Sequence, residues 1–322
     1  MTAVGIGTGE PGRIAALVRR TPGAVWLLAA LCIVMPFLEP RFLTLANLTN
    51  IGLQASVLLI VALGMTLVIL TEGIDLSLGP VLGLCGVVAG LLVVGGTPLW
   101  LAMLAAIAIG VAFGAVNGVL VAKVALPPFI VTLATFGMAQ SIAMVLTGGN
   151  SVTGLPVAFR WFNEGEVAGV PVPVLATIAL FALTWVLLYR TRFGRYTFAI
   201  GGNRRALELS GVAVRTFHVA VYAYAGLLAA LASFIMTARM NAAHPTIGVG
   251  LEFDAIAAVI LGGTSFEKGR GGIWGTVAGA LAVGTLRNGL NLAGVSTEWQ
   301  VACVGIVILA AVAADSLRGA NS

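Results

Sequence analysis

Charge is what this sequence has least of. Only 9% of its 322 residues are Asp, Glu, Lys or Arg, whereas 59% are hydrophobic, and the mean hydropathy is +1.06. Soluble domains carry roughly 25% charged residues, so this chain could not cover its own surface with polar groups and lipid has to be its solvent. Histidine is almost absent. The two present, His218 and His244, fall at or near the ends of apolar segments without a partner at ligand spacing, which argues against a metal centre. The three cysteines, Cys32, Cys85 and Cys303, lie inside apolar stretches and read as small buried hydrophobes rather than as disulfide or metal ligands. No GxxxxGK[ST] run occurs. The glycine-rich stretch from Gly262 to Gly272 has neither that spacing nor a strand–loop–helix setting. No nucleophile–base arrangement is visible either. Enzyme chemistry, a bound cofactor and nucleic-acid binding therefore all lack a carrier in this chain.

What the chain does have is length in its apolar runs. A membrane span needs about 20 mostly apolar residues, and candidates fall near 22–38, 51–71, 76–95, 98–121 and 127–147, then near 171–189, 216–238, 253–265, 272–293 and 298–315. The fold class expected is an all-α integral membrane protein of about ten transmembrane helices, with eight to ten as the bounds. The eighth candidate has room for little more than half a span before Gly262-Gly263-Thr264, so it is re-entrant or broken. The 42 glycines fit membrane helices, where they let backbones approach closely. The run from Ala24 to Leu38 reads as an uncleaved first span. The basic leader before it is long, and no small-x-small cleavage site follows. This divides the chain into a cytoplasmic N-terminal segment at 1–23, one transmembrane domain at 24–318 with a large cytoplasmic loop at about 190–215, and a tail at 319–322.

Basic residues orient the spans. With the N-terminus in the cytoplasm, the inside segments hold Arg13, Arg19, Arg20, Lys123, Arg190, Arg192, Arg195, Arg204, Arg205, Arg215, Lys268, Arg270 and Arg318. The outside holds Arg41, Arg160 and Arg239, while Arg287 lies within a span. That asymmetry places both termini inside. The six tryptophans lie near proposed span ends or in the large outer loop, where amphipathic rings settle in a bilayer.

An internal likeness runs through the chain. Asn117-Gly118 sits late in the fourth candidate and Asn288-Gly289 late in the ninth. The third and eighth begin beside acidic pairs, Glu72/Asp75 and Glu252/Asp254. Elements five spans apart enter from opposite sides, so the likeness is either an inverted-topology repeat or coincidence among Gly- and Asn-rich helices.

Polar residues within or beside spans are the candidates for function. Glu72 and Asp75 mark a pathway, or they are loop residues at the cytoplasmic interface, with Asp75 capping a helix from Leu76. Asn117, Gln140, Asp254, Arg287, Asn288 and Asn291 either hydrogen-bond a polar substrate or tie neighbouring helices together. In the inside loop, Asn203 is a good N-cap. Arg204, Arg205, Ala206, Leu207, Glu208 and Leu209 then make about two turns, followed by Ser210 and closed by Gly211. Such a helix suits docking to a soluble partner, or a basic loop held by anionic lipid headgroups.

Several of these segments occur in the order of a known family. Thr71–Gly79, Gly201-Gly202-Asn203 with Leu209-Ser210-Gly211-Val212, and Asp254–Ser265 resemble the bacterial ribose-type ABC sugar permeases. Gly269-Arg270-Gly271, Gly275-Thr276 and Asn288-Gly289-Leu290-Asn291 extend the resemblance from about residue 42 over nearly the whole chain. It implies a multi-pass bacterial inner-membrane permease that imports a monosaccharide, such as a ribose-like pentose, a hexose or a related polyol, by alternating access. Its implied partners are cytoplasmic ATP-binding subunits that use the ATP, a periplasmic sugar-binding protein, a second permease copy or paralogue, and membrane lipids. The 203–212 segment then corresponds to the coupling helix. Importers of this kind often carry a Glu-Ala-Ala…Gly pattern there, and this chain departs from it with Arg205-Ala206-Leu207. The alternative is a self-contained secondary transporter that uses Glu72, Asp75, Glu252 or Asp254 for proton or sodium coupling.

Overall fold

The computed structural model describes residues 22–266 and 269–319. Most of the 1–23 segment lies outside the described residues, as do Glu267, Lys268 and 320–322; with them go Arg13, Arg19 and Arg20 of the charge count. The described residues form twelve helices. These are α1 (Gly23–Leu38), α2 (Leu45–Leu70), α3 (Leu78–Val94), α4 (Leu99–Ala122), α5 (Pro128–Thr147), α6 (Val157–Glu164), α7 (Val172–Arg190), α8 (Arg192–Leu209), α9 (Val214–Met240), α10 (Leu251–Leu261), α11 (Ile273–Leu292) and α12 (Thr297–Gly319). A two-residue ribbon, β1 (Glu166–Val167) with β2 (Val170–Pro171), interrupts the outer loop.

All ten apolar candidates coincide with helices, and α2, α4, α5, α7 and α9 are long and apolar enough to cross a membrane. Proline starts several of them. Pro98, Pro127-Pro128 and Pro171 stand at helix entries, where the missing N–H costs nothing. Gly148 and Gly149, both at positive φ, end α5, as a left-handed cap requires. Two helices escaped the sequence reading. α6 is short and amphipathic, and buries Phe159 completely. α8 fills most of what was expected to be loop between 190 and 203, and the Thr191 hydroxyl caps it by accepting from the Phe193 N–H at 3.1 Å.

The centre of the bundle is α2, apolar on every side and buried along most of its length, as a helix without a polar face must be. α9 packs beside it, while α4, α5 and α7 bury much less of themselves. The connections gather at two ends. At one end Gly201 packs against the Leu70 carbonyl and Gly269, the Arg204 guanidinium reaches the Ala122 carbonyl at 3.5 Å, and the Tyr189 hydroxyl lies against Gly272. At the other end Val152 and Ala243 form a β-bridge. This grouping is the one an alternating chain path produces.

Two features set the interior. The first is a seam between α4 and α9, where Ala102, Ala106, Gly110, Gly114, Gly118 and Ala122 repeat every fourth residue and are all buried. A Cβ on Gly114 would strike the Tyr222 backbone, and one on Gly118 would stand 2.7 Å from the Val219 Cα. Such close approach is how membrane helices gain packing without a hydrophobic driving force. The second is the path into α10. Ala243 touches Gly90, Pro245 lies by Gly83, and Gly248 meets Gly79, so the non-helical segment 241–250 descends alongside α3 for about 17 Å. α10 therefore starts deep in the bundle, which is why the eighth apolar run holds only 11 helical residues.

Replacing Gly114 by Leu forces these backbones apart and should abolish the monodisperse peak of the detergent-extracted chain in size-exclusion chromatography. Gly137→Ala, which meets open space, should leave the peak and its thermal midpoint unchanged.

Candidate functional site

α3 and α10 both begin inside the bundle, and the polar residues collect around those two starts. Before α3, the 71–77 backbone is irregular. Asp75 is fully buried, not a surface loop residue at the interface. Its Oδ1 accepts from the Ser77 N–H at 2.9 Å and the Ser77 hydroxyl at 2.6 Å, which settles α3 to begin at Leu78 rather than Leu76. Asn117 of α4 donates to Ser77 Oγ at 2.9 Å and accepts from the Thr135 hydroxyl of α5 at 2.8 Å. Thr132, one turn earlier on α5, donates to the Ile74 carbonyl at 3.2 Å. One carboxylate, three hydroxyls and one amide thus join three helices. Among the described residues, the second Asp75 oxygen and the Tyr222 hydroxyl, which lies against Gly73, find no hydrogen-bond partner. Glu72 instead is exposed and sits at φ 61°.

The start of α10 carries the second cluster. Both Glu252 oxygens accept from the Gly250 N–H, at 3.0 and 3.1 Å, and the carboxylate lies against Gly79 in the first turn of α3. It stands where two helix N-termini converge, and the positive ends of both macrodipoles favour it. Asp254 accepts from Arg287 of α11 at 2.7 Å. At the next residue of α11, Asn288 and Asn47 exchange amide bonds, 2.9 Å in each direction, and Asn47 also donates to the Phe42 carbonyl. Asn291 is exposed, apart from this pair, and Gln140 is half-buried further along α5.

The third group lies on the exposed end of α8. Asn203 breaks the helix at φ −159°, ψ 83°, and its Oδ1 accepts from the Ala206 N–H at 2.9 Å. A separate two-turn helix follows, held by an Arg204–Glu208 ion pair at 3.0 Å and ended by Gly211 at φ 79°. Arg205, Ala206, Glu208, Ser210 and Gly211 are exposed, and Leu209 is 83% exposed. The piece before the break is anchored by buried Gly194, Thr197, Ile200 and Gly201. An apolar tip is therefore presented on a fixed base.

Ser77, Thr132, Thr135 and Asn47 were missed from sequence. Threonines in apolar helices bond their own preceding carbonyls, so nothing in the sequence distinguishes one that also reaches across. Asn47 reads as part of a connection because it lies ahead of the uninterrupted apolar run that begins near residue 51. Among the described residues no cluster of His, Cys, Asp or Glu could hold a metal ion. The geometry is that of polar joints between helices and an exposed, capped two-turn helix.

The buried ion pair yields a test. Arg287→Met strands Asp254 and should destabilise the extracted chain by about 3–5 kcal/mol. Adding Asp254→Leu should recover most of the lost thermal midpoint, since the stranded charge is then gone.

The family described as "Branched-chain amino acid transport system / permease component" matches residues 47–312. The ribose import permease protein RbsC of Bacillus subtilis is 47% identical over 293 residues, 90% of this chain and 91% of its own length. The D-allose transport system permease protein AlsC of Escherichia coli is 41% identical over 297 residues, covering 92% and 91%. The galactose/methyl galactoside import permease protein MglC of Salmonella typhimurium is 37% identical over 316 residues, covering 92% and 94%. No solved structure matches the chain. Nothing in these relatives supports the ion-coupled alternative. With its long apolar helices and this match over most of its length, the chain is a multi-pass inner-membrane protein and belongs to the ribose-type ABC sugar permeases, as a transport subunit and not an enzyme.

Proposed function

We propose that this chain forms, with a second copy or a paralogue, the translocation pathway of an ATP-driven importer for a monosaccharide, a ribose-like pentose, a hexose or a related polyol. Cytoplasmic ATP-binding subunits hydrolyse the ATP, and a periplasmic binding protein delivers the sugar. The 203–211 segment is the coupling helix. The observation that carries this reading is its construction. Asn203 caps a short helix, Arg204 ties its root to α4, and Leu209 projects as an apolar tip. ATP-driven approach of two such tips opens the membrane cavity to each side in turn.

In this reading the chain crosses the membrane ten times with both termini cytoplasmic, residues 24–318 forming the one membrane domain. The arginine asymmetry and the grouping of connections at two ends support it. The eighth crossing consists of the 241–250 descent plus α10, non-helical backbone being tolerated at depth because it packs against protein along α3. An inverted repeat accounts for the packing. α4 lies on α9 as α11 lies on α2, α3 on α4 as α10 on α11, and α3 on α9 as α10 on α2. Asp75 and Asn117 in one half, and Asp254, Arg287 and Asn288 in the other, then hold corresponding joints rather than contact sugar, while half-buried Gln140 remains available to the pathway.

Leu209→Asp should leave membrane insertion and the chromatographic profile intact while removing copurification of the ATP-binding subunit and lowering uptake to background. Ala206→Pro, which removes the N–H held by Asn203, should do the same. Normal uptake by both variants would remove the segment from the mechanism.

A further inference from the structure

The outer face of α7 has the shape of a phospholipid. α7 is 19 residues long, about 28 Å, close to the roughly 30 Å of a bilayer's hydrocarbon core. Its last residue, Arg190, is therefore at headgroup level when Val172 is at the opposite boundary. Ile178, Leu183, Val186 and Tyr189 are exposed. At 100° per residue they and Arg190 fall within about 140° of one another, so a single apolar stripe leads up to the arginine. Aromatic rings mark the boundary. Trp185 and Tyr189 lie 6.1 Å apart, and the Arg190 guanidinium stands 5.2 Å over the Trp185 ring. Beyond it the chain turns into α8, whose first turn carries exposed Arg192 and Arg195. The two ion pairs formed among the described residues, Arg204–Glu208 and Arg287–Asp254, use none of these three arginines.

We propose that Arg190, Arg192 and Arg195 form a binding site for the headgroup of an anionic phospholipid in the leaflet on the coupling-segment side, its acyl chains lying along Ile178, Leu183 and Val186. A guanidinium pairs with phosphate through parallel N–H donors, and the N-terminus of α8 adds a favourable dipole end. The continuity of the apolar stripe with the basic cap selects a lipid over a soluble protein, which would leave that stripe uncovered. The site holds the hinge between α7 and α8, and so the base from which the 203–211 prong projects. It depends on the membrane embedding of the chain and not on the coupling role of the prong.

The test is native mass spectrometry of the chain released from nanodiscs containing equal phosphatidylglycerol and phosphatidylcholine. The wild type should retain phosphatidylglycerol selectively. Each arginine replaced by Gln in the R190Q/R192Q/R195Q series should lower that retention roughly five-fold, from about 1 kcal/mol per basic residue. Exposed Arg160, on α6 at the other end of the bundle, serves as the control, and R160Q should change nothing. Equal retention of the two lipids by the wild type, or unchanged selectivity in the folded triple variant, would overturn the proposal. So would loss of the ATP-binding subunit from the triple variant in phosphatidylcholine alone, which would assign the arginines to a protein surface.

Discussion

Backbone that is not helical must be buried and satisfied when no water surrounds it, and this chain places two such stretches inside its bundle. The 71–77 stretch is held by the Asp75 carboxylate, which takes the Ser77 N–H, and by Thr132, which takes the Ile74 carbonyl. The 241–250 stretch is held by the bridge between Val152 and Ala243 and by Glu252, which takes the Gly250 N–H. Much of the remaining architecture accommodates these two stretches. Small residues at Gly79, Gly83 and Gly90 make room for the descent along α3. The glycine seam draws α4 and α9 together around Asp75.

The same constraint explains why the charged residues are few and where they are. Carboxylates buried in a membrane protein are expensive unless paired. Here Asp254 has Arg287, while Asp75 and Glu252 stand at helix starts. Each sits in a joint between helices. That arrangement is coherent with a permease whose energy comes from outside the chain, delivered in the proposed importer to the exposed end of α8. α4 links the two regions: its last turn receives Arg204, and Asn117 one turn earlier bonds both α3 and α5.

The apolar runs were legible because lipid enforces them, and all ten located a helix. Asn203 was legible because capping is a local interaction with a local signature, and the helix it starts lies where the sequence put it. The first part of α8 was not legible. Arg, Gly and Thr have no apolar period there, and its helicity comes from docking Gly201 on Leu70 and Gly269. Partnerships across hundreds of residues, Asn47 with Asn288 or Thr66 with Thr276 at 2.7 Å, leave no mark on either local sequence. The burial of Asp75 was hidden for the same reason. A carboxylate beside glycines reads as a surface turn until the helices that enclose it are in place.

In the proposed importer this chain conducts and does not energise. Its most direct test is uptake into proteoliposomes that contain the chain with or without the ATP-binding subunits, supplied with binding protein and a panel of labelled pentoses and hexoses. Accumulation should require the ATP-binding subunits and ATP, with none by the chain alone under a proton or sodium gradient. Gradient-driven accumulation by the chain alone would contradict it.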